Sequence, residues 1–326
     1  MTRRLAEHSK DDSHSAAPVH FYIASGGNAG LAAVHAAASL GRPCTVAVPL
    51  STKPMMLAKL RAAGARDVVQ HGDTWQEADE HLRREVMGRA EDAGAARAVY
   101  VPPFDDEDVW AGNAGMMREI AAQLREDHGG LRPAAVVCSV GGGGLFNGVV
   151  MGLDALGWGD EVQVLALETR GADSLNASLA RGEHVTLPAI TSQATSLGAR
   201  RVCERTYELA RRRPRQVRSV VLSDAEAAMG CWRLADDERL LVELACGVSV
   251  ALCYGGRFER ALGRRVREEE IVVIIVCGGS AVTFDMLAQW RREFARVEEE
   301  MPHLEDVPSE ITAPVVGNDG LDATPR

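Results

Sequence analysis

Lysine is nearly missing from this sequence. Of 36 basic residues in a chain of 326, only Lys10, Lys53 and Lys59 are lysines, and the other 33 are arginine. Any chemistry that needs a side-chain primary amine is therefore confined to three positions. A P-loop requires Gly-Lys-Ser/Thr, and no lysine here follows a glycine, so phosphate binding of that type is excluded. Cys-x-x-Cys spacing is also lacking. Seven cysteines stand at positions 44, 138, 203, 231, 246, 253 and 277, an odd number that argues against a disulfide framework or a zinc ribbon. Most lie in apolar runs, as reduced cysteines do. No apolar run reaches 18 residues, and the first 20 residues hold no continuous apolar core. No membrane span or secretory signal is expected, and the expected location is the cytoplasm. Positive charge is in deficit, with a net charge of −10, which argues against nucleic acid as a partner.

What is present is a globular composition, 46% hydrophobic and 25% charged. Short apolar runs alternate with longer amphipathic segments. Val19–Ala24, Cys44–Leu50, Asp67–His71 and Ala98–Val101 read as strands, separated by helices over Ala29–Leu40, from Pro54 to near Gly64, and from Thr74 to about Glu91. The pattern resumes with Ala134–Val140, Val162–Leu167, Val220–Leu222 and Ile271–Val276. Such alternation predicts βαβ units and parallel sheets, and unbroken apolar runs suit strands covered on both faces. The expected organisation is a divergent segment over 1–18, a smaller α/β domain over 19–110, a larger one over 111–297, and an acidic tail over 298–326. That tail holds eight acidic residues and one arginine, and it reads as a segment without a core.

In open parallel sheets, ligands bind beyond the carboxyl ends of the strands. Three glycine-rich or polar turns lie at such ends: Ser25–Ala29, Gly141–Leu145 and Cys277–Ser280. The four glycines 141–144 lead into a helix start, which suits a phosphate held by backbone N–H groups. The dinucleotide fingerprint fails in all three registers, since Phe146, Asn147 or Leu145 stands where a glycine is required. The bland reading is a tight turn. Ser25-Gly26-Gly27-Asn28 fits either a carboxylate-receiving backbone or an ordinary helix cap. Taken alone, Cys277 reads as a core cysteine. Glu168 closes an apolar strand, where a carboxylate has an ion, a ligand or a cap as its reason.

Together these residues resemble a known family. The strings SGGNAGLAA (25–33), PPFDDEDVWAGNAGMMREI (102–120), SVGGGGLFNGVVMGL (139–153), ALETRGADS (166–174), ITSQATSLGARRV (190–202) and IVCGGS (275–280) closely resemble eukaryotic L-serine dehydratases. These are fold-type-II, tryptophan synthase β-like pyridoxal-phosphate enzymes with doubly wound parallel sheets in two domains. The resemblance implies that Gly141, Gly142, Gly143, Gly144 and Leu145 bind the cofactor phosphate. It implies that Asn28 bonds the ring oxygen, and that Cys277, beside Gly278, is a neutral partner for the pyridine nitrogen. Ser25, Gly26, Gly27, Asn28 and Ala29, with Ser196, would hold the substrate. Gly141, Glu168, Ala172, Ser174, Leu197 and Ala199 resemble a monovalent-cation site for potassium. The implied reaction is β-elimination from L-serine, with L-threonine as a second candidate, giving pyruvate and ammonia from the former. A homodimer is also compatible with the resemblance.

One departure stands out. In this family a lysine in a Ser-Phe-Lys-x-Arg-Gly type motif, upstream of the asparagine turn, holds the cofactor and takes the α-proton. Lys10 lacks that motif, and only 17 residues separate it from Asn28. No residue is therefore assigned as the catalytic lysine. The expectation is either a truncated dehydratase or a pseudoenzyme with a ligand-binding or regulatory role, the former favoured by the intact contact set. A smaller departure is Leu244, where the family run has proline; it is expected to perturb a helix start only.

Overall fold

The computed structural model describes residues 19–92 and 97–299. Lys10 with the rest of the 1–18 segment, and residues 300–326 of the acidic tail, lie outside the described residues.

Two four-stranded parallel sheets organise the chain. The first is built from β1 (Val19–Ala24), β2 (Cys44–Val48), β3 (Asp67–Gln70) and β4 (Arg97–Tyr100), in the order β3-β2-β1-β4. Its register pairs Ala24 with Ala47 and Tyr22 with Tyr100. Successive side chains of a strand face opposite ways, and both faces are covered. Phe21 and Ile23 pack with Val34 and Ala37 of α1 (Asn28–Ser39) and with Leu57 and Leu60 of α2 (Pro54–Ala62). Tyr22 and Ala24 pack on the other side against Leu82. Pro54 opens α2, a place where its missing N–H costs nothing.

The helix expected from Thr74 to Glu91 is present from Trp75 to Asp92, with a wide π-turn over Leu82–Val86 between α3 (Trp75–His81) and α4 (Met87–Asp92). Thr74 and Glu77 form a reciprocal capping box at its start. The wide turn carries Leu82, which is fully buried.

The second sheet contains β5 (Ala135–Ser139), β6 (Gln163–Thr169), β7 (Val217–Leu222) and β8 (Val272–Ile274), in the order β7-β6-β5-β8. Val136, Cys138, Val164 and Ala166 face α5 (Glu107–Asp127) and α6 (Gly144–Ala155), where Met117, Val149 and Leu153 complete the layer. Val137, Leu165 and Leu167 face the opposite layer. That layer is formed by α9 (Asp224–Glu238), α10 (Leu244–Val250) and α12 (Phe284–Phe294), with Phe258 and Leu262 of α11 (Arg257–Leu262), whereas Leu175 of α7 (Ser174–Arg181) and Tyr207 of α8 (Glu204–Arg212) belong to the layer of α5 and α6. Helix α5 runs unbroken through residue 110 from its N-cap, Asp106, whose Oδ1 accepts from the Asp108 N–H at 2.9 Å. Among the described residues, no helix is long and apolar enough to cross a membrane.

Several boundaries move. Strand β6 continues through Thr169, so Glu168 lies inside the strand instead of closing it. Strand β7 begins at Val217, three residues early, because Arg218 and Ser219 mask it in an apolar scan. The run Ile271–Val276 supplies only three strand residues, all half-buried. Strand β8 pairs with β5 and lies at a sheet edge, so its apolar composition reveals a strand but not its place in the sheet. Residues 298 and 299, expected at the start of the acidic tail, are helical. A short helix, α13, covers Arg296–Glu299, and the Glu298 carboxylate pairs with Arg233 at 2.7 Å and Arg291 at 3.4 Å.

Candidate active site

Strand order decides where the crevices lie. Strand β1 sits between β2 and β4, and β5 sits between β6 and β8. At such reversals successive connections leave to opposite faces, and a crevice opens at the carboxyl ends. The turns after β1, β5 and β8 are the three singled out in the sequence. The turn after β4, which carries Phe104, was not.

The glycine loop is shaped by contacts on every side. Gly143 is the N-cap of α6 with φ +99° and no side-chain cap bond. A Cβ on it would lie 1.9 Å from Thr206 Oγ1, and one on Gly142 would lie 2.2 Å from the Phe104 ring. Beneath the loop is a polar network that sequence reasoning missed. The Cys203 N–H and thiol both donate to the Gly142 carbonyl at 2.9 Å. The Thr206 hydroxyl donates to Asn147 Oδ1 at 2.9 Å, and Asn147 Nδ2 donates to Cys203 Sγ at 3.4 Å. Burial pushes the Cys203 thiol up to about 11. The available signal was Asn147, a lone amide in the first turns of an apolar helix. The first amides of α6, at Gly144 and Leu145, have no carbonyl in a preceding turn, an arrangement that suits an anion.

Cys277 stands at the other side of the β5/β8 reversal, its Sγ 3.8 Å from Ser139 Oγ. It is exposed, which corrects its reading as a core cysteine: β8 is an edge strand, and the chain turns away after Ile275. Gly278 and Gly279 follow with φ +78° and +108°. A hydrogen bond from the Cys246 thiol lowers Cys277 to about 7 and raises Cys246 in turn. The hydrogen bond from Cys246 thus favours the thiolate of Cys277, against the neutral thiol implied by the family resemblance. Thiolate is the reactive form, so alkylation of Cys277 by iodoacetamide is expected to accelerate with pH around a midpoint near 7. Removing the donor with Cys246→Val is expected to move that midpoint upward. Peptide mapping separates Cys277 from the other exposed thiol, Cys253, which burial raises instead.

The asparagine turn meets this region directly. Asn28 is the first residue of α1, and Gly27, not Asn28, is its N-cap, without a side-chain cap bond. The routine cap reading is therefore replaced by a tertiary role. Asn28 Nδ2 donates to Glu243 Oε1 at 2.9 Å, while Asn28 Oδ1 accepts from the Ser280 N–H at 3.1 Å and its hydroxyl at 2.9 Å. The other oxygen of Glu243 accepts from the Ala281 N–H at 3.1 Å. Lys59 Nζ donates to the Ser280 carbonyl. Ser25 Oγ accepts from the Gly27 N–H at 3.3 Å, and Gly26 and Ala29 are half-buried beside it. Glu243, Lys59 and Phe104 make contacts here for which sequence reasoning assigned no role, and Ser280 lies in the turn already singled out after β8. Leu244 opens α10, so the departure from proline does fall at a helix start.

Glu168 is fully buried, and its two oxygens accept from the Leu175 and Asn176 N–H groups at 2.8 Å each. It serves as a remote cap for α7, and burial pushes its carboxyl up to about 8. Ser174 Oγ is buried without a hydrogen-bond partner. Ala172 and Leu197 share one buried cluster, and a Cβ on Gly141 would lie 3.1 Å from the Ser196 carbonyl. The Ala199 N–H donates to the Leu197 carbonyl at 2.7 Å. Ser196 itself is exposed.

Comparison with known proteins decides the lineage. A family model described as "Pyridoxal-phosphate dependent enzyme" matches residues 2–278. The chain belongs to this pyridoxal-phosphate-dependent enzyme family. Among its relatives is an L-serine dehydratase of Saccharomyces cerevisiae (strain AWRI1631), 45% identical over 266 residues, covering 81% of this chain and 78% of the relative. A serine dehydratase-like protein of Rattus norvegicus is 42% identical over 276 residues, covering 84% and 79%. The crystal structure of a fungal L-serine ammonia-lyase from Rhizomucor miehei superposes with a TM-score of 0.75 at 30% identity, covering 87% of this chain and 85% of that one. The fold-type-II architecture expected from the sequence is thereby established. The relatives named dehydratase are carbon–nitrogen lyases. The donor set of this pyridoxal-phosphate family member also fits the cofactor: the packing around Gly142–Gly144 admits no side chain on the loop, and the amides that open α6 carry no side-chain cap.

Proposed function

We propose that the chain is a pyridoxal-phosphate-dependent L-serine ammonia-lyase, with L-threonine as the alternative substrate. The observation that carries the reading is the convergence of the glycine loop, Cys277 and the asparagine turn at the two strand-order reversals. The cofactor, when bound, supplies an electron sink for a carbanion. Gly143, Gly144 and Leu145 would hold its phosphate through N–H groups, and Cys277 would face its ring nitrogen. Asn28 Nδ2 carries two hydrogens; Glu243 takes one, which leaves the other for the ring oxygen. Ser25 and the turn amides from Gly26 to Ala29 would receive the substrate carboxylate. The expected location is the cytoplasm, and a homodimer is the expected assembly.

The proposal includes a potassium ion beside Glu168. Its support is the unpartnered Ser174 hydroxyl and a buried carboxylate without a cationic neighbour among its described hydrogen bonds. Oxygen donors suit a hard cation. Replacing choline chloride with potassium chloride is expected to raise Tm by about 2–5 °C through binding to the folded state. The rise should shrink in Ser174→Ala, and an unchanged difference would remove the site.

A second reading, a catalytically silent ligand-binding or regulatory protein, is favoured by one observation: the only lysines among the described residues are Lys53 and Lys59. The purified chain with pyridoxal phosphate, potassium and L-serine distinguishes the two. Pyruvate above a Gly143→Ala control supports the lyase. Retained cofactor without pyruvate supports the silent protein.

A further inference from the structure

The hydrogen-bonding capacity of the Asn28 side chain is almost fully taken by its neighbours. A side-chain amide has two lone pairs on oxygen and two hydrogens on nitrogen. Oδ1 receives two donors, the Ser280 N–H at 3.1 Å and the Ser280 hydroxyl at 2.9 Å. One hydrogen of Nδ2 goes to Glu243 Oε1 at 2.9 Å. The reverse orientation is unfavourable at both ends, because it sets an oxygen against the Glu243 carboxylate and an NH2 against the Ser280 N–H. The partners therefore settle which end of the amide is which. They are held in turn. Glu243 is buried, its N–H donates to the Gly278 carbonyl at 3.1 Å, and its second oxygen accepts from the Ala281 N–H at 3.1 Å. Its side chain packs on Gly279 where any Cβ would collide with it. The Ser280 carbonyl accepts from Lys59 Nζ, which secures that residue from a third segment. Asn28 is exposed, and one N–H of its amide remains to be used.

We propose that Glu243 and Ser280 are positioning residues that set the polarity of the Asn28 amide, so that the crevice selects a hydrogen-bond acceptor at the ring-oxygen position of the cofactor and rejects a donor there. The proposal rests on the cofactor reading given above. An unrestrained asparagine serves either kind of ligand, since it turns its amide over to meet a donor or an acceptor. Here Ser280 occupies the oxygen and Glu243 opposes the turn, so only an N–H is on offer. A ring oxygen brings lone pairs to that N–H, and an ionised one makes the stronger, charge-assisted bond. A ring amine brings hydrogens that find no free lone pair on Asn28 and leaves the spare N–H unmet, a loss of the kind that gives polar sites their selectivity. Because the amide is fixed before the ligand arrives, little ordering cost falls on binding.

The test uses two ligands that lack the aldehyde and so form no covalent bond: pyridoxine phosphate, and its analogue with an amino group in place of the ring hydroxyl. Each is titrated into the full chain by equilibrium dialysis, with and without excess inorganic phosphate. The unaltered chain is expected to prefer the hydroxyl ligand by about tenfold, the size of one hydrogen bond. In Glu243→Gln the side chain donates as well as accepts, which frees the amide to turn over. The hydroxyl ligand should then weaken and the amine analogue tighten, cutting the preference by about fivefold. Ser280→Ala removes one of the two donors on Oδ1 and no buried charge, so it should fold as the parent does and cut the preference by about twofold. Tighter binding of the amine analogue is a gain that damage to the fold does not produce. An unchanged preference in both variants, or parallel weakening of both ligands, would overturn the proposal. Phosphate-sensitive binding without any preference in the unaltered chain refutes the role of Glu243 and Ser280 and leaves the phosphate site standing. Binding that is absent, or indifferent to phosphate, refutes both.

Discussion

Gly143→Ala is expected to abolish cofactor retention and to destabilise the fold. Two costs act on one methyl group. The backbone at Gly143 has φ +99°, a conformation that costs an L-residue about 1–2 kcal/mol. The new Cβ would also lie 1.9 Å from Thr206 Oγ1 and 2.8 Å from Thr206 Cβ. Thr206 cannot swing away freely, because its hydroxyl is bonded to Asn147 and the Cys203 thiol, and all three are buried. Overpacking of this kind adds about 1–3 kcal/mol. The loop is expected to relieve the clash by shifting the amides of Gly144 and Leu145, which are the groups proposed to receive phosphate. Urea denaturation should show a loss of about 3 kcal/mol, and dialysis should show no retained pyridoxal phosphate. A variant that binds the cofactor as the parent does would place the phosphate elsewhere.

The second large effect is expected for Glu243→Ala. Glu243 is 5% exposed and joins three segments distant in sequence: α1 through Asn28, the turn after β8 through Ala281, and α10, whose N-cap it is. Removing its carboxylate leaves two donors without their acceptor and opens a void against Gly279. Hydrogen bonds to a charged acceptor contribute about 1.5–3 kcal/mol, and unmet buried donors are costly. A loss of about 3 kcal/mol is expected, read as a Tm lowered by about 6 °C at this chain size. Glu243→Gln keeps the shape and one acceptor, so it should lose roughly half as much. Equal losses in the two variants would mean that charge, not hydrogen bonding, holds the joint.

How much of this was legible follows from what each feature depends on. The strands β1, β2, β5 and β6 were readable because a strand buried on both faces must be apolar throughout. Strand β7 was half-hidden by Arg218 and Ser219, and β8 was overextended, since an edge strand and a central one can share a composition. The glycine loop was legible because a backbone that packs this closely tolerates no side chain. Its supports, Cys203, Thr206 and Phe104, were not. Each reaches the loop from a different part of the chain, and none has a local pattern that announces the contact. Asn28 was singled out, but its partners Glu243 and Ser280 lie 215 and 252 residues away.

By itself the sequence determined the parallel α/β class, the three turns that line the crevice, the family resemblance and the scarcity of amines. All of these are local, carried by residue type and spacing. Only the tertiary structure decided which lysine approaches the crevice, that Cys277 is exposed and lowered by Cys246, and that Asn28 braces two segments instead of capping a helix. The reason is physical. Periodicity and turn chemistry act over a few residues, whereas exposure, hydrogen-bond partners and the ionisation of a thiol are set by whatever the folded chain brings alongside.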